Sequence, residues 1–214
     1  STDARLLADG KRLPARERAT KPASRPGQIT QTDIWKSDCP DIFGNKYLVA
    51  MYDNYSTDFQ VYPVKRKSDY PKVLERHIVD AKAANLDIHR NGVVYSDNER
   101  VLNSNAATQV EQSHGLAHRN SAEYEPWGNA GVESVFRILP QEMRKVFVRS
   151  NMPKKLWSLV AISCSRIWSR TRDPLGDGRS PMELRTGRRP TYRREYVIGC
   201  RAIARRPANT EVCQ

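Results

Sequence analysis

The sequence predicts an α/β fold, a mixed sheet flanked by helices, with basic N- and C-terminal extensions. Three features lead there. Residues 29–66 hold three successive strand-like runs separated by turn residues, and the stretch after them switches to helical spacing. A β-branched run then returns and ends on an acid, followed by two more helical segments. Strands repeat every two residues and helices about every 3.6, so this order of periods reads as a meander, a crossover helix, a further strand and packing helices.

The elements follow in chain order. "ARERATKPASRPGQ" (residues 15–28) is rich in Ala, Arg, Pro and Ser and closes a basic linker over residues 1–28. "ITQTDIW" (29–35) alternates, "KYLVAMYDNYS" (46–56) is a buried strand running into a turn, and "DFQVYPVKR" (58–66) alternates back. "SDYPKVLERHIVDAKAANL" (68–86) places Val73, Leu74, His77, Ile78 and Ala81 on one helix face, with Ser68 as cap and Pro71 in the first turn. "VVYSD" leads to Asp97, a short helix is expected over residues 104–113, and "GLAHRNS" is a short extended segment. "VESVFRILPQEMRKVF" (132–147) carries an amphipathic face from Val132 to Phe147, with Pro140 expected to break it. "PKKLWSLVAISCSRIWSRT" (153–171) offers Leu156, Trp157, Val160, Ile167 and Trp168 for packing. The core is thus expected over residues 29–172, followed by a basic extension over 173–214.

Charge narrows the function. The chain carries 36 Lys and Arg against 24 Asp and Glu, a net +12, with a pI near 9.8. Residues 1–30 hold 7 cations and 3 acids, residues 31–165 hold 17 and 16, and residues 166–206 hold 12 and 4. A near-neutral core between cationic arms fits an enzyme that recruits a polyanion, nucleic acid foremost. The four cysteines are scattered with no C-x-x-C pair, which argues against a disulfide framework or zinc ribbon and for a reducing compartment. His114 and His118 have zinc-finger spacing but no cysteine pair to complete four ligands. No apolar run approaches the roughly 20 residues a membrane helix needs, so a soluble chain without a membrane partner is expected. The chain begins at Ser1, as a piece of a longer polypeptide would.

Three acids have placements that suit metal chemistry. Asp33 lies within the first strand, Asp97 ends a later one, and Glu133 opens a helix, with 35 residues between the last two. Carboxylates on rigid elements can hold two Mg²⁺ ions about 4 Å apart for phosphoryl transfer, because hard cations take oxygen ligands. Asp38 and Asp41 compete for the first position, but "SDCPDIFGN" reads as a turn whose acids have a local use. As a ligand, Asp97 is expected to face a cleft rather than solvent or a local backbone amide.

These motifs together resemble the integrase catalytic core of copia-type (Pseudoviridae) retrotransposons, within the RNase H-like superfamily. "QTDIW" resembles the first-acid strand, "YLVAMYDNYSTDFQVYPVKRKSD" the second and third strands, and "YSDNE" the second-acid motif. "GLAHRNSAEYEPWGNAGVES" resembles the loop and third-acid helix, and "SPMELRTGRRPTYRREYVIGCRA" the segment that follows the core in copia-type elements. The resemblance implies an RNase H-like mixed five-stranded sheet and a Mg²⁺-binding catalytic triad of Asp33, Asp97 and Glu133, with Mn²⁺ as substitute. It implies 3′-end processing of element DNA and its transfer into target DNA by a homo-oligomer, inside the cell in a nucleus or cytoplasmic particle. Asn98, Tyr124, Pro126, Asn129 and Arg137 would line the site or meet DNA. An intact integrase also has an upstream zinc-binding domain, so a fragment is expected.

The sequence departs from that pattern in places. "DNERVL" lacks the usual glycine and Glu-Phe after the second acid, Asn129-Ala130 replaces Asn-Gly, and "EYEP" puts Glu123 and Glu125 where phosphates should pass. A second class therefore stays open: a diverged, catalytically inactive remnant that at most binds nucleic acid.

Overall fold

A computed structural model describes residues 23–84, 92–120, 129–191 and 198–199. The first three strands form where branched and aromatic residues alternate: β1 (Ile29–Lys36), β2 (Tyr47–Asp53) and β3 (Phe59–Val64). Then come α1 (Tyr70–Ala83), β4 (Val93–Ser96), α2 (Asn105–Ser113) and β5 (Ala117–Asn120). Helices α3 (Ala130–Ser150), α4 (Trp157–Thr171) and α5 (Pro181–Thr186) complete the order. The sheet has five strands in the order β3-β2-β1-β4-β5. The meander is antiparallel, whereas β4 and β5 are parallel to β1, so α1 and α2 act as crossovers. This is the mixed five-stranded sheet expected from the sequence.

Strand β2 shows why the core has two halves. Leu48 and Ala50 face α3 and α4, where they meet Val132, Leu139, Trp157 and Val160; Val49 and Met51 face α1, where they meet Leu74 and Ile78. All four strand residues are buried, so β2 is covered on both sides and its sequence is a continuous apolar run. Each fully buried Leu, Val or Met contributes roughly 2 kcal/mol by leaving water. Strand β3 lies at the sheet edge and contains Pro63, which has no N–H to offer a further strand.

Several local expectations shift. Ser68 falls in a short 3-10 turn (Lys67–Asp69), and the N-cap of α1 is Asp69, with Pro71 in the first turn as expected. Pro140 does not break the helix that carries Glu133: α3 continues from Ala130 to Ser150. Proline removes one hydrogen-bond donor, but Val135, Leu139 and Met143 stay buried along one stripe, and that packing holds both halves in line. The helix instead stops at Asn151, which takes a left-handed φ of 50° and donates its N–H to the Phe147 carbonyl. Ile167 is exposed, while Trp157 and Val160 carry the packing of α4.

The segments beside the core are tied to it. The Gly27 N–H donates to buried Asp53 Oδ1 at 2.7 Å, joining residues before β1 to the end of β2. Helix α5 is short but fully capped: Ser180 Oγ accepts from the Glu183 N–H at 3.2 Å, and Gly187 closes the helix with φ 68°. Its Arg185 Nη1 donates to Asp58 Oδ2 at 3.0 Å in a buried ion pair. Ile198 packs on the α3–α4 side of the core.

Candidate metal centre

Alternation along β1 decides which side chains reach the site. Gln31, Asp33 and Trp35 point toward α3, because Ile34 packs with the α1 side and Trp35 with the other. Strand β4 runs parallel to β1 with Gln31 opposite Tyr95. Two residues further on, Asp33 and Asp97 fall side by side past the carboxyl end of β4. Helix α3 arrives on the same face: the Val132 N–H donates to Gln31 Oε1 at 3.1 Å, and Asn129 Nδ2 donates to the Thr32 carbonyl at 3.4 Å. A Cβ on Gly131 would sit 2.6 Å from Tyr52 Cδ1 and closer still to Tyr52 Cε1 and Gln31 Oε1, so only glycine lets the helix lie this near.

Among the described residues, Asp33, Asp97 and Glu99 each offer a carboxylate oxygen within 4.8 Å of the others. Glu133 is not in that group. It stands exposed in the first turn of α3, and its charge reaches the Asp33 carboxyl. Asp33 accepts the Ile34 N–H at 2.7 Å. Burial nevertheless raises its pKa to about 6, assisted by the negative charges of Asp97, Glu99 and Glu133. Such a cluster of converging carboxylate oxygens suits a hard divalent cation.

Glu99 was not singled out by the sequence pattern. The signal available was its position two residues after Asp97: Asp97 Oδ1 accepts the Glu99 N–H at 3.0 Å, and that turn brings the second acid back beside the first. The same bond corrects the expectation for Asp97, whose carboxylate is exposed and does meet a local amide. The turn role and a place in the acid cluster coexist. The loop is fastened below by buried Leu102, whose N–H donates to the Glu99 carbonyl at 3.0 Å. Lys67 forms an ion pair with Glu99.

The remaining candidates separate. Asp41 is buried with Oδ1 accepting the N–H groups of Phe43 and Asn45 at 2.8 and 2.7 Å, while Asp38 is exposed, and neither joins the acid group. Asn98 is exposed beside Asp97, and Arg137 is exposed one turn after Glu133. Asn129 is buried, 4% exposed, at the start of α3. Tyr124 and Pro126, with Glu123 and Glu125, lie outside the described residues. His114 and His118 each go to a glutamate, Glu75 at 3.0 Å and Glu111 at 2.7 Å.

Among solved structures, the catalytic core domain of HTLV-2 integrase in complex with magnesium, in a trimeric form, matches with a TM-score of 0.57 at 14% identity. It covers 76% of this chain and 98% of that one. The chain has the fold of an integrase catalytic core. The fold likeness extends to a simian T-cell lymphotropic virus intasome in complex with the PP2A regulatory subunit B56 gamma, with a TM-score of 0.63 at 14% identity, covering 92% of this chain and 66% of that one. In sequence, residues 23–126 match the integrase core domain family. The retrovirus-related Pol polyprotein from transposon RE2 of Arabidopsis thaliana is 26% identical over 185 residues, 85% of this chain. That from transposon TNT 1-94 of Nicotiana tabacum is 27% identical over 166 residues, 77% of this chain. The chain spans about 12% of the length of either polyprotein.

Proposed function

We propose that this chain is the catalytic core of a retrotransposon integrase, which trims the 3′ ends of element DNA and joins them to target DNA in a Mg²⁺-dependent reaction. The observation that carries the reading is the pairing of Asp33, within β1, with Asp97, just past the carboxyl end of the adjacent parallel strand β4, while the charge of the helix-borne Glu133 reaches Asp33. Integrase relatives in Pol polyproteins support the same reading.

Mg²⁺, or Mn²⁺ in its place, would activate the attacking oxygen and stabilise the leaving oxygen of a phosphodiester. Asp33, Asp97 and Glu133 are the residues that would hold it. The Ile34 N–H fixes the Asp33 carboxylate, the Glu99 N–H fixes that of Asp97, and the close seat of Gly131 sets where Glu133 starts its helix. Arg137 would meet a DNA phosphate from the same helix face as Glu133, and Asn98 would line the approach. Asn129 would act by fixing the start of α3 against β1. DNA ends and target DNA are the partners, and a homo-oligomer would bring two ends together.

A catalytically inactive copy has one observation in its favour, the position of Glu133 outside the group that Asp33, Asp97 and Glu99 form. A strand-transfer assay of the whole chain on duplex oligonucleotides, with Mg²⁺ and with Mn²⁺, separates the two. Metal-dependent joined products support the integrase; their absence under both metals, with the protein folded, supports the inactive copy.

A further inference from the structure

Residues 31–165 are nearly neutral as a whole, yet their lysines are not spread evenly. Five exposed lysines gather around the β1–β2 loop, residues 37–46. Lys36 ends β1, and its neighbour's Ser37 N–H donates to the Lys46 carbonyl at 2.9 Å. The Lys46 N–H donates to the Val64 carbonyl at 3.0 Å, next to Lys65, whose Cε lies 3.8 Å from the Cβ position of Gly44. The Ile42 N–H donates to the Lys155 carbonyl at 3.0 Å, which brings Lys154 and Lys155 to the same loop. Trp157 Nε1 secures the arrangement by donating to the Cys39 carbonyl at 3.0 Å. None of the five lysines forms an ion pair among the described residues. The acids within the loop are Asp38, exposed, and Asp41, buried and committed to the loop's own amides.

At the loop's tip Ile42 and Phe43 are 53% and 54% exposed. Apolar side chains ringed by unpaired cations fit a partner with anionic groups and flat apolar faces, which is the chemistry of nucleic acid. The location agrees. Strands β1 and β4 are parallel and both end on this side, so Lys36, three residues past Asp33, lies about 10 Å beyond the acid cluster at the usual strand rise.

We propose that the β1–β2 loop and the turn before α4 form a DNA-binding surface, with Lys46, Lys65, Lys154 and Lys155 on phosphates and Phe43 stacking on an unpaired base. The proposal rests on the integrase reading for the identity of the polyanion, and it deepens that reading by placing DNA beyond the acids.

The test uses the full chain and fluorescent DNA, as a blunt duplex and as a duplex with a single-stranded end, titrated at several salt concentrations. Changing Lys46, Lys154 and Lys155 together to Gln should lower the slope of log affinity against log salt by about 2 to 3, since each phosphate contact contributes about 0.9. The same number of charges removed from the exposed faces of α1 and α3 (Lys72, Arg144 and Arg149 to Gln) should change it by less than one. Phe43→Ser should weaken the single-stranded end about tenfold and the blunt duplex less, the range stacking on one base supplies. Equal slopes for the two triple variants would overturn the proposal, as would a Phe43→Ser chain that binds both DNAs like the parent. If the parent joins strands but the loop variants bind like the parent, the surface is wrong and the integrase reading stands. If loop-dependent binding occurs without any joining, the surface stands and the catalytic reading falls.

Discussion

Asp33 and Asp97 lie in one row of two parallel strands: the register that sets Gln31 opposite Tyr95 brings the two acids together two residues later. The residues are 64 apart in sequence, and the crossover through α1 makes them neighbours. Helix α3 must then come close to that row, which gives Gly131 a measurable role.

Gly131→Ala places a methyl group against the Tyr52 ring and the Gln31 side chain that holds the Val132 N–H. Overpacking of this kind costs about 1–3 kcal/mol. Urea unfolding should show that loss, and strand transfer by the still-folded protein should fall further, because Glu133 is displaced. Unchanged stability and joining would mean that α3 does not need this close approach.

Arg185 and Asp58 are a buried pair whose side chains are 8% and 4% exposed. Arg185→Met strands the Asp58 carboxylate and should cost about 3–5 kcal/mol. Changing Asp58→Asn at the same time should recover much of that, since no charge is then left buried without its partner. Chemical denaturation of the two single variants and the double checks it; a cost below about 1 kcal/mol for Arg185→Met would mean α5 contributes little to the core.

His118 has its pKa raised, chiefly by its hydrogen bond to buried Glu111. Its folded value exceeds the unfolded one, so the protonated pair adds stability below pH of about 6.5 and that part is lost as pH rises through the raised value. The stability gap between the parent and His118→Gln should therefore be larger at mildly acidic pH than under alkaline conditions. Thermal unfolding across that range reads the difference, and a gap that widens with pH would contradict it.

Much of this architecture was legible because the relevant signals are local. The alternating runs became β1 and β3, the doubly buried run became β2, and helical spacing located α1, α3 and α4. Asp33 and Asp97 were legible by their positions in strands. Glu99 was not, because an acid after an Asp-Asn turn looks like ordinary solvated charge until the Asx turn folds it back. The continuity of α3 through Pro140 depends on packing along its whole stripe, which no local breaker rule contains. The reach of Arg185 to Asp58 spans 127 residues and has no sequence period to announce it. Asn129 reads as a polar loop residue, yet the helix start buries it against β1.

The central claim is that Asp33 and Asp97 act together on a divalent cation, and Asp97→Asn tests it most directly. Asparagine keeps the shape and can still accept the Glu99 N–H, but it removes one charge from a crowded group. Mn²⁺ binding followed by electron paramagnetic resonance, on metal-free parent and Asp97→Asn protein, should show at least tenfold weaker binding in the variant, a difference of about 1.4 kcal/mol. Thermal unfolding without metal should be unchanged or slightly higher for Asp97→Asn, and metal-dependent strand joining should be lost. A variant that binds Mn²⁺ as tightly as the parent and joins strands at the parental rate would contradict the account.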